Sequence, residues 1–185
     1  SPYAVDAMVL AAELATGAGD LEAANKLLEG VVQKYPTHPR TDFARLNRGI
    51  LLVRTGDTAA AQTVLRDWLG RSSFPALSGR ARGALGAALL SSGDTFGAQR
   101  ELTQAQRDGM GAFATLGLGA IAMSRGRVEE ASKSFTEARD TGTPPIAAAA
   151  EYGLAAIAYT KNNGPEFKKP ALAALRAVPP GARNA

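Results

Sequence analysis

The stretch from Thr115 to Ala138, TLGLGAIAMSRGRVEEASKSFTEA, decides the fold. Its apolar residues recur every three or four positions, which predicts two amphipathic helices. We predict the turn between them at Arg125-Gly126-Arg127, because glycine accepts the left-handed backbone that ends a helix. Small residues fall where the two helices must contact each other, at Gly119, Ala122, Ala131 and Ala138. The stretch therefore predicts a closely packed, antiparallel pair of helices.

The same pattern recurs along the chain. The turn glycines are separated by 37, 37 and 33 residues, at Gly19, Gly56, Gly93 and Gly126. Each is followed five residues later by an alanine and nine residues later by Leu28, Leu65, Leu102 or Phe135. A fifth first helix is predicted over Glu151–Asn162. Helix pairs this short cannot bury their own apolar faces, so neighbours must stack. The predicted fold class is all-α, an α-α superhelix (solenoid) of about five antiparallel helix pairs.

This pattern resembles the tetratricopeptide repeat. Its components occur in the same order: a small residue, a turn with Gly-Asp, an alanine, a large apolar residue and a closing proline, Pro36 in the first unit. The resemblance covers roughly residues 3 to 161 and implies a single repeat domain over residues 1–185. Its expected units are residues 3–36, 40–70, 76–108, 110–141 and 146–178. The last unit is degenerate, because Pro170 lies inside its second helix. Arg48 stands where later units have leucine, so we expect the first helix of the second unit to be rotated or less tightly packed.

Composition argues against catalysis. The chain has no cysteine and one histidine, His38, in a proline-rich connector. No set of residues completes a metal site or a catalytic triad. We therefore expect no enzyme activity, no catalytic residue, no metal and no cofactor. No apolar run approaches the roughly 18 residues of a membrane span, so we expect no membrane insertion.

Charge is distributed unevenly. Between Arg40 and Arg107 there are ten arginines, no lysine and five acidic residues, whereas residues 1–39 carry a net charge of −3. We interpret the arginines as solvated surface residues in preference to a site for an acidic partner. Nucleic acid is not an expected partner, because the aromatic residues fall on repeat positions instead of alternating with the arginines.

In arrays that this chain resembles, the first helix of each pair lines a concave groove that binds another protein. The resemblance predicts an apolar, arginine-rimmed groove for an extended peptide or a helix. Its expected residues are Phe43, Leu46, Ile50, Val53, Arg54, Arg80, Leu90, Phe113, Leu116, Met123, Tyr152 and Tyr159. Alternatively, these residues belong to the core, or the chain's own fifth unit packs against them. The family's clamp for a terminal carboxylate is excluded, since only Asn47 and Arg80 match its five positions.

The main functional hypothesis is a non-enzymatic scaffold or adaptor that binds another protein. One alternative is a structural or self-oligomerising module, with a homo-oligomer as the assembly. Another is a regulatory domain cut from a larger protein, since the chain starts at Ser1 and a leader, anchor or earlier domain is expected before it. The connector KYPTHP (residues 34–39) and the opening SPYA resemble repeats of bacterial envelope proteins. That resemblance slightly favours a periplasmic or envelope location over the cytoplasm.

Overall fold

The computed structural model describes residues 3–72 and 74–163, and helices account for most of them. The helices are α1 (Ala4–Ala18), α2 (Leu21–Lys34), α3 (Thr41–Thr55), α4 (Thr58–Arg71), α5 (Ser78–Ser91), α6 (Thr95–Arg107), α7 (Gly111–Ser124), α8 (Val128–Thr141) and α9 (Pro144–Asn163). A short 3-10 turn, Pro75–Leu77, precedes α5. These ranges contain no β-strand, and none of their helices is long and apolar enough to cross a membrane. The all-α helical-repeat prediction is confirmed.

The chain divides into two compact units. The first spans residues 1–75 and contains α1 to α4, and the second spans residues 76–185 and contains α5 to α9. Within each unit, every helix packs against the next one in the chain. The predicted unit boundaries and the single domain over residues 1–185 stay predictions. The predicted second helix of the fifth unit, residues 165–178, lies outside the described residues.

The helix-to-helix turns follow one design. The four turn glycines have φ angles between +75° and +89°, a region that L side chains rarely adopt. The aspartate after the first three glycines caps the next helix by accepting a hydrogen bond from a backbone N–H three residues on. These bonds run from Ala23 to Asp20 (3.0 Å), from Ala60 to Asp57 (3.2 Å) and from Gly97 to Asp94 (2.8 Å). Arg127 occupies the fourth cap position and makes no side-chain cap bond.

A glycine on each of the first helices α3, α5 and α7 lets the second helix approach closely. A Cβ atom placed on Gly86 would lie 2.7 Å from Leu102 Cγ, and one on Gly119 would lie 2.9 Å from Phe135 Cε1. Both distances are too short for a real contact, so any larger residue would push the helices apart. Leu102 and Phe135 are buried, with exposed fractions of 1% and 0%. These pairs therefore fix the spacing within the third and fourth repeats.

The second unit uses the same device between repeats. A Cβ atom on Gly117 would lie 2.7 Å from Leu102 Cδ1, and one on Gly153 would lie 2.7 Å from Phe135 Cε2. Leu102 and Phe135 are thus each held between a glycine of their own repeat and a glycine of the next. The same large side chain packs within its own helix pair and against the next pair, so the contact within a repeat and the contact between repeats depend on each other.

The expectation that the first helix of the second unit, which carries Arg48, is rotated or less tightly packed stays a prediction. The neighbouring Gly49 is buried, and a Cβ atom there would lie 2.6 Å from Leu65 Cδ2, as close as in the later repeats. Arg48 is partly buried and reaches α2, where Nη2 pairs with Glu29 Oε1 at 2.9 Å and Nε donates to Asn25 Oδ1 at 3.3 Å. The charge of Arg48 is thus paired within the first unit, at a position where later repeats have leucine.

Candidate functional site

In the first unit, the predicted binding residues lie on α3. Phe43, Ile50 and Arg54 are partly exposed and are spaced seven and four residues apart, so they share one face of the helix. Val53 lies beside them and is also partly exposed. The ring of Phe43 packs at the edge of the first unit's hydrophobic core. This face of α3 therefore combines apolar side chains with the guanidinium group of Arg54.

Leu46 must be removed from the predicted contact residues. Its exposed fraction is 0%, so its side chain belongs to the core of the first unit. The same holds in the second unit for Leu90 and Met123, which are only 9% and 4% exposed. Leu46 lies on α3 and Met123 on α7, and each of these helices packs against the second helices before and after it, whereas Leu90 lies on α5, which packs against α6. For these three residues, the alternative stated above holds: they belong to the core.

In the second unit, five predicted residues reach the surface of three adjacent first helices. Helix α7 contacts both α5 and α9. We call the set Arg80, Phe113, Leu116, Tyr152 and Tyr159 the first-helix surface. Arg80 is exposed and Phe113 and Leu116 are partly exposed, while Tyr152 and Tyr159 are 51% and 49% exposed.

Repeat symmetry helps to align this surface. Leu116 and Tyr152 are equivalent positions of successive repeats, 36 residues apart. Phe113 lies against α5, where its Cδ1 atom would be 3.2 Å from a Cβ atom on Gly83. Its ring therefore fills the joint between α5 and α7 and leaves only part of its area to a partner. Within the second unit, the exposed or partly exposed residues of the predicted set thus lie on α5, α7 and α9.

No chemistry converges on this surface. Within the described ranges, no group of three or more histidine and acidic side chains could hold a metal ion. The surface itself carries apolar, phenolic and guanidinium groups.

The sequence analysis missed a cluster on α6, which we call the α6 patch: Arg82, Phe96, Arg100, Glu101, Thr103 and Arg107. These residues line an open cavity of about 600 Å³. Phe96 is 81% exposed, although the equivalent positions of other repeats hold Glu22, Ala59 and Glu129. That departure was the available signal. The arginines were counted in the sequence, but the cavity also needs Arg82 from α5, which only the packing of the helices brings there.

A second missed feature lies on α1, where Leu10 and Leu14 are 57% and 67% exposed. Leu14 is equivalent to Leu51 and Ile121, which are 3% and 2% exposed in their repeats. Ala7, also on α1, is exposed, whereas the equivalent Ala44 is fully buried. Helix α1 therefore presents the apolar face that other first helices bury.

Comparison with known proteins agrees with the repeat units. One tetratricopeptide repeat model matches residues 6–38, which span the first helix pair. Another matches residues 116–182, from α7 onward. Together they account for 100 of the 185 residues. No curated protein matches the chain.

Tetratricopeptide repeats are in general non-catalytic scaffolds that bind other proteins, as stacked repeats present extended surfaces. The repeat spacing, the glycine-mediated packing and the two matches lead to one assignment. The chain belongs to the tetratricopeptide repeat family.

Proposed function

We propose that this chain is a non-enzymatic scaffold or adaptor that binds another protein through apolar, arginine-rimmed surface on its first helices. One observation carries the proposal: apolar and aromatic side chains at equivalent repeat positions of α7 and α9 remain partly or largely exposed. In α9 the two tyrosines are spaced seven residues apart and so share one face. Large aromatic side chains in a row are costly to leave in water unless a partner covers them.

The composition of this surface suits protein recognition. Tyrosine and arginine are enriched at the energetic centres of interfaces, because each combines a large contact area with hydrogen-bonding groups. Tyr152 and Tyr159 supply the aromatic part in the second unit, with Leu116 beside them and Arg80 at the rim. Ile50, Val53 and Arg54 offer the same chemistry on α3 of the first unit. The proposed ligand is an extended peptide or an amphipathic helix of a partner protein.

The test is affinity capture from the lysate of the source organism. We would compare the wild type with Ile50→Asp/Leu116→Asp, after circular dichroism shows that the variant stays helical. The proposal expects a protein that the wild type retains and this variant loses. A matched control, Leu10→Asp/Leu14→Asp, makes the same kind of change on α1 and is expected to retain it. Equal retention by all three chains would refute a binding site on the first helices.

A second candidate function is self-association through α1. The exposed face of α1 suits contact with another helix, since its counterparts in other repeats are buried against one. We propose a second copy of the chain as the occupant. Sedimentation velocity over a concentration series would then show a dimer or larger species that Leu10→Asp/Leu14→Asp abolishes. A wild-type chain that stays monomeric at every concentration would exclude this function.

An envelope or periplasmic location in bacteria remains a proposal that rests on the connector resemblance. Fractionation of cells of the source organism, followed by immunoblotting with an antibody to the chain, tests it. Recovery with the periplasmic fraction would support the proposal, and recovery with the cytosolic fraction would contradict it.

A further inference from the structure

We propose that the α6 patch is a separate binding site for a short acidic segment of a partner protein. This site uses the outer face of a second helix, whereas the proposed scaffold function uses the first helices. The inference therefore goes beyond that function and can hold or fail independently of it.

Two of the three arginines of the patch are positioned by a buried carboxylate. The Glu101 side chain is only 9% exposed, and its two oxygens accept from different arginines: Oε2 lies 2.9 Å from Arg82 Nη1, and Oε1 lies 3.2 Å from Arg100 Nη2. Because both oxygens are used, Glu101 orients the guanidinium groups but cannot neutralise them fully. Three arginines and one glutamate line the cavity, and Asp108 beside it also pairs with Arg82 (Oδ2 to Nε, 3.4 Å), which leaves the group with a net charge of +1. Arg107 has no ion pair within the described part of the chain and is exposed.

Phe96 adds an apolar contact beside these charges. The guanidinium carbon of Arg125 lies 5.0 Å from the centroid of its ring, close enough for a cation–π interaction. Arg125 is held in turn by a hydrogen bond from Nη1 to Gln99 Oε1 at 2.6 Å. One side of the ring is thus supported, while 81% of the residue remains exposed. A supported, exposed aromatic ring next to arginines can anchor an apolar side chain that neighbours a carboxylate.

The spacing along α6 defines the length of the ligand. Phe96, Arg100, Thr103 and Arg107 follow one another at intervals of four, three and four residues, so they form one stripe on the helix. At 1.5 Å per residue the stripe is about 16 Å long, and Arg100 and Arg107 are about 10 Å apart along the axis. Two carboxylates separated by about two turns of a helix, with an apolar residue before them, would match this stripe.

Charge at the two ends of α6 favours an acidic peptide over nucleic acid. The helix is capped by Asp94 at its N-terminus and by Asp108 at its C-terminus. A continuous phosphate backbone passing along the stripe would meet both carboxylates, and nucleic-acid binding relies on neutralising many successive phosphates. A short peptide can place its own carboxylates on Arg100 and Arg107 and end before either aspartate. The positive charge is thus limited to the length of one acidic motif.

The test uses a fluorescein-labelled, acetylated and amidated peptide in which one leucine precedes a run of glutamates, titrated with the whole chain. A second peptide with glutamine in place of glutamate controls for charge. We expect the acidic peptide to bind at low salt, and binding to weaken strongly in about 0.5 M salt because exposed ion pairs are screened. The variant Arg100→Glu/Arg107→Glu should weaken binding about ten-fold or more, and Phe96→Ala by a few-fold.

The control variant is Arg66→Glu, a charge reversal at an exposed arginine on the second helix α4. It should leave the affinity within about two-fold, because Arg66 is not part of the patch. Equal weakening by Arg66→Glu and by either Arg100→Glu or Arg107→Glu would overturn the site, since only net charge would then matter. Equal binding of the glutamine peptide would overturn the acidic ligand. Tighter binding of a single-stranded DNA of the same length, lost in the α6 variants, would overturn the choice of a peptide.

Discussion

The packing of Phe135 between two glycines makes a sharp stability prediction for Gly153→Ala. Gly153 lies in the middle of α9, where alanine is normally the better helix former by about 0.5–1 kcal/mol. Here the new Cβ atom would lie 2.7 Å from Phe135 Cε2 and 2.8 Å from Cδ2. The ring cannot move away freely, because its other edge faces Gly119 at a similarly short distance. We therefore expect the steric effect to exceed the gain in helix propensity.

The magnitude follows from the two opposing terms. Forcing an extra methyl group into a well-packed core costs about 1–3 kcal/mol, whereas the propensity gain is about 0.5–1 kcal/mol. Gly153→Ala should therefore lower the free energy of unfolding by about 1–2 kcal/mol. Gly70→Ala is the control, since it also lies in a helix but has no neighbouring atom within 4 Å of a Cβ position. It should raise the free energy of unfolding by about 0.5–1 kcal/mol.

A double-mutant cycle with Phe135→Leu isolates the clash. Leucine already occupies this position in the other repeats and removes the ring edge that the new methyl group would meet. In that background Gly153→Ala should become neutral or stabilising, which gives a coupling energy of about 2 kcal/mol. The assay is urea unfolding followed by far-ultraviolet circular dichroism. If Gly153→Ala stabilises the wild type as much as Gly70→Ala does, the argument that glycine sets the helix spacing is refuted.

Three further predictions concern single positions and use the same unfolding assay. Arg127→Asp should raise the free energy of unfolding by about 1 kcal/mol, because the backbone there (φ −85°, ψ 72°) matches the capping aspartates of the other turns. An unchanged free energy of unfolding would show that the cap geometry is not equivalent. Trp68→Phe should lower the free energy of unfolding by about 1 kcal/mol through loss of the 2.8 Å hydrogen bond from Nε1 to the carbonyl oxygen of Asp42. The control Leu69→Ile, which changes only the shape of a side chain on the same helix, should lower the free energy of unfolding by less. Gly56→Ala should lower it by about 1 kcal/mol, because φ is +83° there, and an unchanged midpoint would contradict the strain argument.

The fold could be predicted from the sequence because its determinants repeat. The turn glycines mark the reversal within each of the first four repeats, and the alanine five residues later is buried in each of them, as at Ala24 and Ala131. These positions depend on backbone conformation and close approach, which only small residues satisfy. A physical constraint that admits so few residue types leaves a pattern that is readable without the structure.

The binding surface was harder to predict, since exposure depends on how much of a helix its neighbours cover. Leu46 and Leu116 are equivalent leucines of the second and fourth repeats, but the first is fully buried and the second is partly exposed. Their sequence contexts do not distinguish them, because burial is decided by the side chains of adjacent helices. Periodicity therefore groups residues by the face of a helix that they share, but it does not determine which of them reach the surface.

Departures from the repeat are informative only when burial is known. Arg48 and Phe96 both break the pattern, yet they differ in consequence. The charged side chain of Arg48 is partly buried and is explained within the chain by Glu29 and Asn25, so its role is in packing. Phe96 places an apolar ring in water, and its contact with Arg125 covers only a small part of it. A charge that is satisfied internally requires no partner, whereas an exposed aromatic ring among arginines gains contact free energy only when another molecule covers it. On this reasoning, the departure at Phe96 is the one that points to function.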